Sequence, residues 1–215
     1  MTDLPVPKEF EGKFARTIDN FLTEEECKAV IASCEKRGFE QALINMGGGM
    51  QMRMTEYRNN DRVIVDSFPV VDVWWQRLEP FMVDVMPRTK RDPGWEAHCI
   101  NERLRILRYQ PGQYFKGHMD GNFCKDETAD SPEQVSFVTL HIYLNESMTG
   151  GATTFLGTPN VEVVPKTGTA LVFEHNIFHE GSKLFDGLKY TVRTDIMYIE
   201  RPKEEKLMED RKTRD

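Results

Sequence analysis

Six short segments after residue 101 constrain the fold most: RLRILRY, VSFVTLHIYL, ATTFL, VEVV, TALVFEH and KYTVRTDIMYI. Each is rich in β-branched and aromatic residues, and Gly, Pro or Asn turns separate them. So many strands within about a hundred residues predict a β-sandwich or barrel. Some alternate polar with apolar residues and others are apolar throughout, as expected where two sheets face each other. The chain before residue 100 reads as helical support packed outside that barrel. Thr23 and Glu26 have the spacing of a capping box, Val30, Ile31 and Cys34 form an apolar stripe, and Gly38 is the expected stop. A second helix is expected over VVDVWWQRLEPFMVDVM, kinked or broken at Pro80. Trp74 and Trp75 read as helix-to-barrel packing, GGG at 47–49 as a mobile loop, and ERPKEEKLMEDRKTRD as a charged tail in solvent.

Composition narrows the function classes. Of 215 residues, 39% are hydrophobic and 29% charged, which suits a globular rather than a disordered chain. With 28 Lys and Arg against 35 Asp and Glu, the net charge of −7 argues against a broad nucleic-acid footprint. The four cysteines, Cys27, Cys34, Cys99 and Cys124, include no CxxC pair, so reduced thiols are expected rather than a disulfide framework or zinc ribbon. MTDLPVPKEF has no basic-then-apolar leader pattern, and no apolar run approaches the ~18 residues of a membrane span. The expectation is a cytoplasmic protein with neither membrane nor nucleic-acid partner.

The chemistry is concentrated in GQYFKGHMDG, residues 112–121. A turn would use Asp and Gly without the histidine, whereas a metal site would use all of it. Residues two apart on a strand share a face, so His118 and Asp120 can aim an imidazole and a carboxylate at one point. LVFEHNIFHEG offers His175 and His179 at the end of a later strand. Two histidines and one carboxylate form the facial triad that suits non-haem iron(II) oxygenases. A zinc hydrolase could use the same three residues.

Four motifs occur in order: LRYQPGQYFKGHMDG, TLHIYLNESMTGGATTF, VVPKTGTALVFEHNIFHEG and GLKYTVRTDIMY. Together they resemble the Fe(II)- and 2-oxoglutarate-dependent dioxygenases, in their prolyl 4-hydroxylase-like branch. The resemblance implies a mostly β fold with flanking helices (α+β): a double-stranded β-helix, jelly-roll or cupin-like, braced by N-terminal helices. Residues 1–98 would be a helical and loop support within the same fold, 99–200 the barrel, and 201–215 the tail. The implied activity is hydroxylation of an unactivated C–H bond with release of succinate and CO2. It would need Fe(II), 2-oxoglutarate and O2, with ascorbate as a reductant by analogy with relatives. The implied substrate is a prolyl or other residue of a peptide or protein. A free amino acid or small metabolite would suit the same barrel, and a non-catalytic metal-binding or interaction module stays open.

By resemblance, His118, Asp120 and His179 take the three iron positions, and His175 a packing or supporting role. Lys189, ten residues after His179, matches the basic partner of the 2-oxoglutarate carboxylate. Arg193 shares its strand face, either as a second contact or substitute there, or as a partner of Asp195. Tyr109 matches an aromatic residue whose hydroxyl reaches the cosubstrate. Thr139 and Tyr143 are either inward pocket residues or barrel core, His141 is read as a satisfied core histidine, and Gly150 and Gly151 match a structural GG turn. Relatives often carry a second tyrosine where this chain has Phe115, with Tyr114 one place earlier. Arg58, Asn59 and Arg62, in the polar segment EYRNNDRVIVDS, are candidates for the pocket mouth together with Tyr114; the alternative is a solvated loop.

Overall fold

The computed structural model describes residues 1–47, 50–82, 94–128 and 131–200. Its main sheet is antiparallel and runs, in spatial order, through Ala15–Ile18, Ala170–Glu174, Gln134–Tyr143, Lys189–Glu200, Arg103–Tyr109 and Asp61–Asp66. A smaller antiparallel sheet orders Val161–Val163, Thr153–Phe155, His179–Gly181 and Phe115–His118. Phe155 of the small sheet meets Phe173 of the large one edge-to-face at 5.3 Å, so the two sheets close on each other.

The strand period of two sorts the main sheet into unlike faces. One face carries Leu104, Ile106, Val138, Leu140, Ile142, Val172, Val192 and Ile196, all buried in one cluster with the helices' Cys27, Cys34, Val71, Trp74 and Leu78. The other face carries polar residues in register, Thr139 opposite Asp195, His141 opposite Arg193 and Lys189 opposite Tyr109. The helices therefore consume the apolar face and leave the polar one for chemistry.

Helix Glu24–Arg37 begins as expected: the Thr23 hydroxyl accepts from the Glu26 N–H at 3.1 Å, and the Glu26 carboxylate accepts from the Thr23 N–H at 2.8 Å. It stops at Gly38, whose φ of +82° only glycine adopts readily. Arg77 of the second helix donates to the Glu26 carboxylate at 2.6 Å and to the Phe21 carbonyl at 3.1 Å, tying the helices together. That second helix spans Phe68–Leu78, shorter than the sequence pattern suggested. Pro80 removes an N–H that the next turn would need, and the chain tightens into a 3-10 turn over Glu79–Phe81. Trp74 is buried against Phe21, as its packing assignment required. Residues 83–86 of that expected helix, Gly48 and Gly49 of the glycine run, and the tail 201–215 lie outside the described residues.

Several strands before residue 101 escaped the sequence pattern. Ala15–Ile18 pairs with Ala170–Glu174, Ile44–Gly47 with Met50–Met52, Asp61–Asp66 with Arg103–Tyr109, and Trp95–Ile100 with the end of Lys189–Glu200. All four cysteines are free thiols. No helix among the described residues is long and apolar enough to cross a membrane.

Candidate metal centre and its pocket

His118 and His179 sit directly opposite each other on adjacent strands of the small sheet, with ring centroids 4.4 Å apart. Gly117 lets this strand lie close, because a Cβ there would come within 2.7 Å of the Phe178 ring. Asp120 follows the strand, held by its N–H donating to the His175 carbonyl at 2.9 Å. One donor atom from each of His118, Asp120 and His179 lies within 4.8 Å of the other two. The His118 Nε2 is 3.9 Å, and the His179 Nε2 3.8 Å, from an Asp120 carboxylate oxygen.

The protonation states suit a cation. Each Nδ1 contacts a backbone carbonyl, Lys116 at 2.8 Å for His118 and Ile177 at 2.9 Å for His179. Those contacts select the Nδ1–H tautomer and leave both Nε2 lone pairs facing Asp120. Burial, with His179 beside it, outweighs Asp120 and pushes His118 down to about 4. Burial likewise lowers His179 against the pull of Asp120. For Asp120 itself, burial acts upward but Arg193 and the surrounding imidazoles outweigh it, holding the carboxyl well below its usual range. Two neutral imidazoles and one carboxylate, already ordered from behind, fit an iron(II) site.

The large sheet supplies the ordering. The Thr139 hydroxyl donates to one Asp120 oxygen at 2.5 Å, and Arg193 Nη2 bridges Asp120 and Asp195, each at 3.0 Å. Asp195 also faces His175 Nε2 and Arg105, each at 3.4 Å. The pairing of Arg193 with Asp195 is present, and Asp120 shares it through the same Nη2, while the buried Arg193 Nε has no partner. Thr139 lines the cavity, as its inward-pocket reading required, and its hydroxyl is spent on the Asp120 carboxylate. His175 lies behind the triad rather than in it. Thr139→Val keeps the volume but removes the donor, so affinity for Mn(II) should fall by about tenfold with the fold intact. Calorimetric titration of the metal into both proteins checks this.

Deeper in the cavity, Lys189 is almost wholly buried, and its Nζ donates to the Gly151 carbonyl at 2.6 Å. The ammonium rests 5.0 Å from the Tyr109 ring and 5.8 Å from the Tyr143 ring. No carboxylate among the described residues pairs with it, and burial pushes it down to about 7. A buried cation without a counter-ion is costly unless a ligand brings the charge. Tyr109 lines the same cavity, which has a volume of about 630 Å³. His141 faces it too, half-buried at the surface of the cavity and kept neutral by desolvation and by Lys189; its buried Nε2 has no partner, so the expected satisfied histidine is not found.

At the cavity's other side, Arg58 and Arg62 are in the lining, as the pocket-mouth reading required. Asn59 and Tyr114 are not. The Asn59 side-chain Oδ1 accepts the Tyr114 N–H at 2.8 Å, and the Tyr114 hydroxyl turns away to the Glu56 carbonyl at 3.3 Å. Tyr114 precedes the strand that starts at Phe115, and it is Phe115 that lines the cavity. Sequence reasoning did not single out Arg105. Its parity with Tyr109 on RLRILRY was the available signal.

Residues 104–194 match the 2OG-Fe(II) oxygenase superfamily. Over 79 residues the chain is 38% identical to a protein of Acanthamoeba polyphaga mimivirus named as a candidate prolyl 4-hydroxylase; this stretch covers 34% of the chain and 31% of that relative. The fold is similar to the viral collagen prolyl hydroxylase of Paramecium bursaria Chlorella virus-1, solved with 2-oxoglutarate, at a TM-score of 0.60 and 22% identity, covering 87% of this chain and 98% of that one. It is also similar to a Pseudomonas putida prolyl-4-hydroxylase, at a TM-score of 0.57 and 16% identity over 90% and 96% of the two chains. A third likeness is to a Trichoplax adhaerens prolyl hydroxylase solved with a hypoxia inducible factor peptide, at a TM-score of 0.60 and 15% identity over 86% and 83%. These likenesses establish a double-stranded β-helix.

Proposed function

We propose that this chain, whose residues 104–194 match the 2OG-Fe(II) oxygenase superfamily, hydroxylates a C–H bond of its substrate, a prolyl residue of a peptide or protein being the leading candidate. The observation that carries this reading is the pairing of the His118–Asp120–His179 triad with the buried, anion-less ammonium of Lys189 in one cavity. A metal-binding module without turnover has no use for that ammonium. The mimivirus relative supports the prolyl assignment, although the aligned stretch spans under a third of its length.

His118, Asp120 and His179 would hold iron(II) on one side and leave its remaining positions open to the cavity. Together with 2-oxoglutarate and O2, the bound iron supplies the oxidation that yields succinate, CO2 and a hydroxylated carbon. Lys189 would take the distal carboxylate of 2-oxoglutarate, its charge restored by that partner, with the Tyr109 ring as a wall. Thr139 and Arg193 hold Asp120 against rotation, so the metal face stays fixed. Gly151 keeps the Lys189 ammonium aimed through its carbonyl. Incubating the Fe(II)-loaded protein with 2-oxoglutarate and a library of prolyl peptides should give succinate, with a gain of one oxygen atom on proline by mass spectrometry. Succinate without any oxidised peptide would reject the prolyl substrate and keep the oxygenase.

A further inference from the structure

Five cations line the cavity, Arg58, Arg62, Arg105, Lys189 and Arg193, against the carboxylates of Asp120, Asp195 and Glu180. Arg193 and Arg105 are matched by Asp120 and Asp195, and Lys189 has its part in the reading above. Arg58 and Arg62 are left over. Among the described residues neither makes an ion pair with a carboxylate, although Glu40, opposite Arg62 on the neighbouring strand, acts on it at longer range. Arg58 spends its Nε on the Asn60 side-chain oxygen at 2.9 Å, and Arg62 reaches only neutral oxygens, of Gln51 at 2.6 Å and Leu43 at 3.4 Å. Burial pushes Arg58 down to about 10 and lowers Arg62 as well, the cost of holding two cations in a partly closed space.

Both arginines are held in place. Arg58 forms a backbone bridge with Phe115, and its guanidinium lies 4.4 Å from that ring's centroid. The same ring stacks on the imidazole of His118 at 3.7 Å. Asn59 clamps the Tyr114 backbone in two directions, fixing the loop between them. Arg62 projects from the inner face of the Asp61–Asp66 strand, opposite Leu107. A group gripped by Arg58 would thus sit one aromatic ring away from the metal triad.

We propose that Arg58 and Arg62 form a carboxylate-recognition subsite, so that the substrate carries an acidic group close to the carbon that is oxidised. This rests on the oxygenase reading and narrows its substrate class. The forked donors of guanidinium match a carboxylate, and a partly dehydrated pocket strengthens the pairing. A prearranged pair loses little freedom on binding. The acid could be an Asp or Glu side chain beside the target residue of a peptide, or the carboxylate of a free amino acid. Neither source changes the chemistry that the two arginines select.

The test uses Mn(II)- and 2-oxoglutarate-loaded protein without oxygen, titrated with matched pairs. One set is prolyl peptides with Glu or Gln beside the proline; the other is free amino acids and their amides. The acidic member of at least one set should bind about tenfold more tightly or better. That preference should disappear in Arg58→Gln and reverse toward basic peptides or amides in Arg62→Glu, and Arg58→Lys should keep part of it. Equal binding of acids and amides throughout, no binding by any acid, or a preference that survives both charge-removing variants would overturn the subsite. The 2-oxoglutarate titration that precedes each run separates the two failures. If wild-type protein does not bind 2-oxoglutarate, the oxygenase reading itself fails.

Discussion

Replacing Lys189 with methionine should abolish measurable 2-oxoglutarate binding and, in the same protein, raise the melting temperature of the ligand-free state. Both effects come from one burial. The ammonium stands in the interior with a carbonyl and two aromatic rings but no anion. Losing one member of a buried charge pair costs about 2–5 kcal/mol, a loss of affinity of roughly thirtyfold to a few thousandfold. Without ligand the sign reverses, because methionine of similar length removes an uncompensated cation.

The pH dependence follows from Lys189 at about 7 against the 10.5 of an ordinary solvated lysine. Between those two values the unfolded chain binds more protons than the folded one, so ligand-free stability rises with pH across that window. Lys189→Met should lose this rise. Above about pH 7, 2-oxoglutarate binding must also return a proton to the amine. Affinity should therefore fall as pH climbs, and the binding enthalpy should vary with the ionisation enthalpy of the buffer. Thermal melts and calorimetry in two buffers read both effects.

The second large effect belongs to the triad. His179→Ala removes one of two Nε2 donors, and Asp120→Asn removes the only carboxylate among the three. Residues that merely orient a ligand are worth about 10–100-fold in metal affinity, so loss of a ligand itself should exceed that range. Mn(II) should raise the melting temperature of the wild type and leave both variants unmoved. Asp120→Asn should also lower stability without metal, because Arg193 then keeps only Asp195 as a buried charge partner. His179→Ala has no such penalty, so the two variants should differ in stability although they agree in metal binding.

Much of this was legible because strands write their faces into the sequence. The six β-rich runs each became a strand, and parity alone put Lys189 with Arg193. Asp120, by contrast, lies past the strand end at His118 and reaches the triad through its N–H bond to the His175 carbonyl. Other features hid for physical reasons. Asp61–Asp66 reads as a polar loop because Arg62 points into the cavity, and only Val63 and Val65 face the helices' apolar cluster. The second helix looked longer than it is because its apolar period continues past Pro80, where the hydrogen-bond ladder cannot. Parity could not tell whether Arg193 grips a ligand or a neighbouring carboxylate. That choice depends on Asp120 arriving from the other sheet, a contact between residues 73 positions apart. Tyr114 misled because a tyrosine beside the metal motif suggests a ligand contact, while its bonds to the Asn59 side chain and the Glu56 carbonyl turn it away.

The most direct measurement is calorimetric titration of 2-oxoglutarate into anaerobic protein, with and without Mn(II), for the wild type, His179→Ala and Lys189→Met. The account predicts binding that requires the metal and is lost in both variants by separate routes. His179→Ala should fail to hold Mn(II), whereas Lys189→Met should hold Mn(II) but not the acid. Wild-type protein that binds Mn(II) at the triad yet takes up no 2-oxoglutarate would contradict it.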